Sequence, residues 1–225
     1  MNKIIDILTD IIYPKRCVFC GDVYDEHTIC DECLKKMPRT YCHPILPMVA
    51  KKGNKLYLKC IVSPLYYGDI VRSAILALKF YKRYAAAEPL AVMMSDAVLG
   101  NYHYSDVDMI IPVPLSRFRK NKRTYNQSEM LATELSKLIG VPVNAEILFK
   151  IKNTKAQSTI KKKSKRMKNI KNVYKVKNSE LIKDKNILLV DDVVTTGATL
   201  NECAKVLVEA GAAKVVAVAA AQSCR

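Results

Sequence analysis

The sequence has no run of about 20 uncharged apolar residues, the length a helix needs to cross a bilayer. Its longest nearly apolar stretch, Val206 to Ala221, is broken by Glu209 and Lys214, so no membrane span is expected. The first twelve residues, MNKIIDILTDII, lack the unbroken apolar core of a secretory signal because Asp6 and Asp10 interrupt it. The expectation is a cytoplasmic, reducing location, where cysteines are seldom paired as disulfides. Acids are absent from residues 150–179, which carry 12 Lys/Arg against no Asp/Glu. Residues 1–60, 61–149 and 180–225 carry 10 against 7, 10 against 8 and 5 against 6, so almost all of the net charge of +16 sits in that one segment. Such a patch attracts polyanions; the plainer reading is a solvated lysine-rich face.

What is present points to a folded protein. Half of the 225 residues are hydrophobic and 26% are charged, which supports a buried core and excludes a disordered or fibrous chain. The length allows one large domain, or a domain of about 150 residues with an appendage.

Eight cysteines in a reducing compartment are better explained by metal than by disulfides. Cys17-Val-Phe-Cys20 and Cys30-Asp-Glu-Cys33 are two CxxC pairs, each able to aim two thiolates at one point. Together they complete a tetrahedral site suited to zinc, and four sulfurs leave no open position, so the metal would be structural. Cys42, Cys60, His27 and His43 are reserve ligands, whereas Cys203 and Cys224 lie in apolar surroundings and read as buried small side chains.

Helical spacing of Ile4, Ile5, Leu8, Ile11 and Ile12 predicts a short amphipathic helix over 2–12. Residues 34–55, with Pro38, Pro44, Pro47 and Gly53, read as a tether or an extended arm that ends an N-terminal region (1–55), before a larger domain (56–225). Beyond the tether, strands are expected near 57–67, 107–113, 145–151, 186–191 and 214–220. Helices are expected near 69–79, 84–99, 127–139 and 197–210, with a helical or irregular basic stretch after the strand near 145–151. This alternation predicts an α/β fold with a mainly parallel sheet.

The most specific run is Ile187 to Thr199, ILLVDDVVTTGAT. Four aliphatics predict a strand buried on both faces, with Asp191 and Asp192 at its C-terminal end and a small-residue loop opening the next helix. Open α/β sheets bind ligands at that place. The N–H groups of Thr195, Thr196, Gly197, Ala198 and Thr199 would converge on a phosphate, with threonine hydroxyls as further donors. The two carboxylates can accept hydrogen bonds from vicinal ribose hydroxyls.

This run resembles the phosphoribosyl pyrophosphate signature of type I phosphoribosyltransferases. The stretches YGDIVRSAILALKFYKR, IPVPLSRFRKNKRTYNQSEMLATEL, NTKAQ and KRMKNIKNVYKV, in that order before the signature and after the cysteine pairs, resemble the ComF family and its ComFC-type competence proteins. The resemblance implies a type I phosphoribosyltransferase-like fold with an N-terminal four-cysteine zinc module. It also implies a link to uptake of single-stranded DNA near a ComFA-type helicase.

Carried over residue by residue, Asp191 and Asp192 match the ribose-binding acids, residues 195–199 the 5-phosphate loop, and Lys79 the lysine beside the pyrophosphate. Arg117, Arg119 and Arg123 match basic positions before the family's NQ pair, here Asn126 and Gln127; Thr154, Gln157, Arg166 and Asn169 match positions without an assigned role. Lys82, Thr124 and Asn172 stand where the family has glycine. Without the resemblance, Lys79 reads as a helix-end lysine, Asn126 and Gln127 as helix-start residues, and His103 as a surface residue.

Two function classes follow. One is a magnesium-dependent transferase in which Lys79, Asp191 and Asp192 act on phosphoribosyl pyrophosphate and an acceptor that no legible motif identifies. The other is a ligand sensor or DNA-uptake adaptor, with Lys161, Lys162, Lys163, Lys165 and Arg166 holding the strand and Tyr174 adding stacking.

Overall fold

The computed structural model describes residues 16–24, 28–42, 55–80, 84–116, 125–152 and 172–223. The helix expected at 2–12, Arg117, Arg119, Arg123, and the basic residues from Lys161 to Arg166 lie outside them, as do Lys82, Thr124, Thr154, Gln157 and Asn169.

Strands β3 (Met109–Pro112), β6 (Asn186–Val194) and β7 (Lys214–Gln222) form the middle of a parallel sheet. The short strands β1 (Ile61–Val62) and β2 (Leu65–Tyr66) pair in turn along the outer side of β7, giving the order β1-β7-β6-β3 with β2 beside β7. Strands covered on both faces must be apolar on both. Accordingly, Leu188, Val190, Val216 and Val218 face one core with helices α2 (Asp69–Phe80), α3 (Ala87–Leu99) and α4 (Gln127–Ile139), while Ile187, Leu189, Val215 and Ala217 face another with α5 (Ala198–Glu209). Among the described residues no helix is long and apolar enough to cross a membrane.

Two expectations are corrected. The strand expected over 57–67 is two short pieces because Pro64, which has no N–H to give a ladder, falls between them. The strand expected near 145–151 is β4 (Leu148–Lys150), and it does not join the parallel sheet: it pairs antiparallel with β5 (Tyr174–Val176), a strand inside the stretch read as basic and irregular. The first part of the stretch read as a tether or an extended arm lies along the sheet edge. Helix α1 (Asp31–Lys35) leads into residues that pair with the sheet edge, Tyr66 N–H donating to Pro38 O at 2.7 Å and Thr40 N–H to Pro64 O at 2.8 Å. Cys17, Phe19, Cys33 and Met37 bury their side chains in the same cluster as Leu65, Val71 and Ile75.

Strand β6 also runs further than expected, through both acids to Val194. Its pairing with β3 stops at Pro112 opposite Val190, whereas its pairing with β7 continues to Val194 opposite Gln222. Asp191 and Asp192 therefore lie just past the end of β3, where one side of β6 is uncovered by a strand. The N-terminus of α4 fills that place.

Candidate functional site

Helix α4 starts there for a local reason. Asn126 has extended backbone angles (φ −107°, ψ 116°) and its side-chain oxygen accepts the N–H of Ser128 at 3.2 Å, so it is the N-cap. Its amide also donates to Val113 O at 3.1 Å, fastening the helix start to the end of β3. The next two side chains then meet the acid pair. Gln127 Nε2 donates to Asp192 Oδ2 at 2.9 Å, and Ser128 Oγ donates to Asp191 Oδ1 at 3.1 Å. The N–H of Asp192 donates to the same oxygen of Asp191 at 2.9 Å. Gln127, Ser128 and Asp192 are buried and Asp191 is half-buried. The two carboxylates at this strand end thus differ: Asp192 is a buried acceptor and Asp191 lies nearer the surface.

Downstream, Gly197 takes the left-handed conformation (φ 71°, ψ 2°) that a side chain would disfavour, and α5 begins at Ala198. The free N–H groups of a helix start favour a phosphate. Thr196 is 5% exposed and its hydroxyl lies 3.4 Å from the Ala198 N–H as acceptor, so it shapes the loop from inside rather than reaching outward. Thr195 and Thr199 are half-buried. The structure therefore brings Asp191, Asp192, the 195–199 loop, Gln127 and Ser128 to one end of the sheet. Lys79 lies in the last turn of α2, whose preceding carbonyl, Leu78 O, accepts the Tyr125 hydroxyl at 2.6 Å. Sequence reasoning had assigned no role to Tyr125 or Ser128; their signal was their place on either side of an N-cap Asn-Gln pair.

Two further expectations meet the geometry. Tyr174 is 4% exposed and buried against α5, so it offers no face for stacking; the half-buried aromatic on that ribbon is Phe149, with Lys177 Nζ 5.5 Å from its ring centre. Asn172 has φ 55°, so asparagine here adopts the geometry for which the family has glycine.

The four cysteines of the two CxxC pairs come together with their sulfurs all within 4.8 Å of one another. Cys20 Sγ and Cys30 Sγ are 3.7 Å apart, close to the edge of about 3.8 Å that a tetrahedron with zinc–sulfur bonds of about 2.3 Å requires. Burial opposes ionisation of Cys17, but the N–H groups of Cys30, Cys20 and Phe19 outweigh it and bring that thiol down to about 6. Burial and neighbouring polar groups, Asp22 and Cys17 among them, push Cys20 up to about 11, and burial with the adjacent thiols pushes Cys33 up strongly. Ionising all four sulfurs together needs a cation among them, and the donor set fits a structural zinc. Cys60 and Cys42 are outside the group; Cys60 is buried with its thiol 3.7 Å from the Tyr104 hydroxyl. His27 and His43 lie outside the described residues.

The double zinc ribbon domain matches residues 8–51, and the phosphoribosyl transferase domain matches residues 110–224, just over half of the chain. Competence protein F of Haemophilus influenzae is 38% identical over 109 residues, spanning 48% of this chain and 47% of that protein, so the match covers about half the length of each. DNA utilization protein YhgH of Escherichia coli O157:H7 is 29% identical over 193 residues, with 84% of this chain and 82% of the relative covered. Competence protein ComFC of Bacillus subtilis is 28% identical over 202 residues, covering 89% of this chain and 74% of that one.

Proposed function

We propose, for a chain that belongs to the phosphoribosyl transferase domain family and is ComF-like within it, that it binds phosphoribosyl pyrophosphate with magnesium and supports uptake of single-stranded DNA. The observation that carries the ligand half is the meeting of two adjacent carboxylates with a glycine-turned loop and a helix start at one end of a parallel sheet. Ribose hydroxyls would lie against Asp191 and Asp192 and the 5-phosphate against residues 195–199, with Lys79 toward the pyrophosphate. Magnesium, when bound, supplies charge neutralisation to the pyrophosphate and ribose oxygens beside these hard oxygen donors. This chain's own part is to hold the ribose and shield its charge.

The DNA half is supported by what the relatives are called, two competence proteins and a DNA utilization protein, and by the 12 Lys/Arg of residues 150–179. In this reading residues 1–55 are the zinc module and residues 56–225 the ligand domain of a cytoplasmic protein, with a ComFA-type helicase as partner.

The experiment is calorimetric titration with phosphoribosyl pyrophosphate and magnesium. Wild type should bind, and Asp191→Ala with Asp192→Ala should lose binding while keeping its circular dichroism and cooperative melt. Retained binding by the folded double variant would refute the site. A search for released pyrophosphate with candidate acceptors, DNA included, then divides a transferase from a binding protein.

A further inference from the structure

We infer that residues 125–128, Tyr-Asn-Gln-Ser, are the positioning element of the ligand site, setting both carboxylates and the Lys79 turn in one frame before any ligand arrives. The inference rests on the ribose-phosphate reading of that site and assigns these four residues roles of their own.

Consecutive residues here reach three separate parts of the fold. Tyr125 donates to Leu78 O in the last turn of α2, Asn126 to Val113 O at the end of β3, Gln127 to Asp192 and Ser128 to Asp191. The partners lie 47, 13, 65 and 63 residues away in the chain, so these bonds form only when the tertiary fold does.

Each bond answers a local need. Leu78 O lies in the last described turn of α2. The Tyr125 hydroxyl takes it and thereby fixes the turn that carries Lys79. A carboxylate at 6% exposure needs a donor, and Gln127, itself 4% exposed, gives one to Asp192. Asp191 Oδ1 receives both the Ser128 hydroxyl and a backbone N–H, which stops the carboxylate from rotating. The capping by Asn126 locks the positions of Gln127 and Ser128 relative to β3, because the same side chain bonds helix and strand. A carboxylate already held in place loses little freedom when a ribose binds.

The mapping gives a test in which different variants weaken different parts of a ligand. Calorimetry would compare phosphoribosyl pyrophosphate and ribose 5-phosphate, and amide shifts of residues 195–199 would follow inorganic phosphate by nuclear magnetic resonance. Ser128→Ala should weaken ribose 5-phosphate about tenfold, the loss of one charge-assisted bond, and leave inorganic phosphate unchanged. Tyr125→Phe should weaken phosphoribosyl pyrophosphate several-fold and ribose 5-phosphate hardly at all, since the bond it removes at Leu78 O holds the Lys79 turn. General structural damage would weaken all three ligands together, so a uniform loss overturns the inference, as does unchanged ribose 5-phosphate affinity in Ser128→Ala. Should Ser128→Ala fail to fold, Gln127→Met, close in size and without the donor, reads the same contrast through Asp192. If wild type binds none of the three, the ribose-phosphate reading fails and the inference falls with it.

Discussion

Asn201 holds together two stretches of chain that are far apart in sequence. Its side-chain oxygen accepts the N–H of Tyr57 at 2.9 Å and lies 3.3 Å from that of Leu58, while its amide nitrogen is 3.3 Å from Lys55 O, partners 144, 143 and 146 residues away. It is 8% exposed, so Asn201→Ala would leave two backbone donors without a partner in a place water reaches poorly. The expected cost is about 2–3 kcal/mol, read as a lower urea midpoint at unchanged slope. Cysteines give a second expectation at this scale. Burial pushes the Cys60 thiol up, and burial with the nearby Asp191 carboxylate pushes Cys203 up further. A thiol reagent near neutral pH should therefore spare both in the folded protein and modify both in denaturant, as peptide mass mapping would show. Modification of Cys203 without unfolding would contradict its place on the buried face of α5. The apolar neighbours of Cys203 made its burial legible in the sequence. Nothing near Asn201 revealed its role, because its partners are supplied by the tertiary fold.

Elements that carry their own start and stop signals were read closely. Helix α4 has Asn126 as N-cap, an acid in its first turn, and Gly140 in the left-handed conformation (φ 70°) after its last residue, and it lies where the spacing predicts. Strand β5 is three residues with an exposed lysine at its centre inside a run of basic residues, so no apolar pattern marked it. The zinc ribbon was legible as four ligands but not in its docking, since the bonds to the sheet edge are made by main chain that any sequence possesses. That docking sets the expected result of removing the metal. Wild type should carry zinc and Cys17→Ser with Cys20→Ser should lose it, as elemental analysis would record. Because Cys17, Phe19, Cys33 and Met37 are packed with Leu65 and Ile75, the melt of the whole protein should fall too. Hydrogen exchange should quicken at the Thr40 and Tyr66 amides, which cross to Pro64 and Pro38. Loss of zinc with both amides still protected would mean that the edge pairing holds without the ribbon.

Across the whole molecule, the two described ends of the basic segment are tied to elements that carry the candidate site. Strands β4 and β5 stand at the two ends of the basic segment, joined by Ile151 N–H donating to Val173 O at 2.8 Å. The ribbon is rooted beside the site: Lys150 bridges to Ser116 beyond the end of β3, and Asn172 N–H donates to Glu202 of α5 at 2.7 Å. For a polyanion drawn to residues 150–179, two outcomes are distinct. If about four lysines neutralise phosphates of single-stranded DNA, log affinity should fall with log salt at about −0.7 per contact, roughly −3 in all. Replacing Lys161, Lys162, Lys163 and Lys165 by Gln should flatten that slope, with little dependence on base sequence. If the same lysines serve the pyrophosphate instead, phosphoribosyl pyrophosphate should displace the DNA, and the quadruple variant should weaken both. A fluorescence salt titration of wild type and variant, with and without the sugar phosphate, separates them. An unchanged slope in the variant would place the DNA contact elsewhere, and a solvated face with no binding function predicts no complex near physiological salt. Sequence alone located the charge but not the pairing of β4 with β5 on either side of it, because that pairing joins residues far apart in the chain.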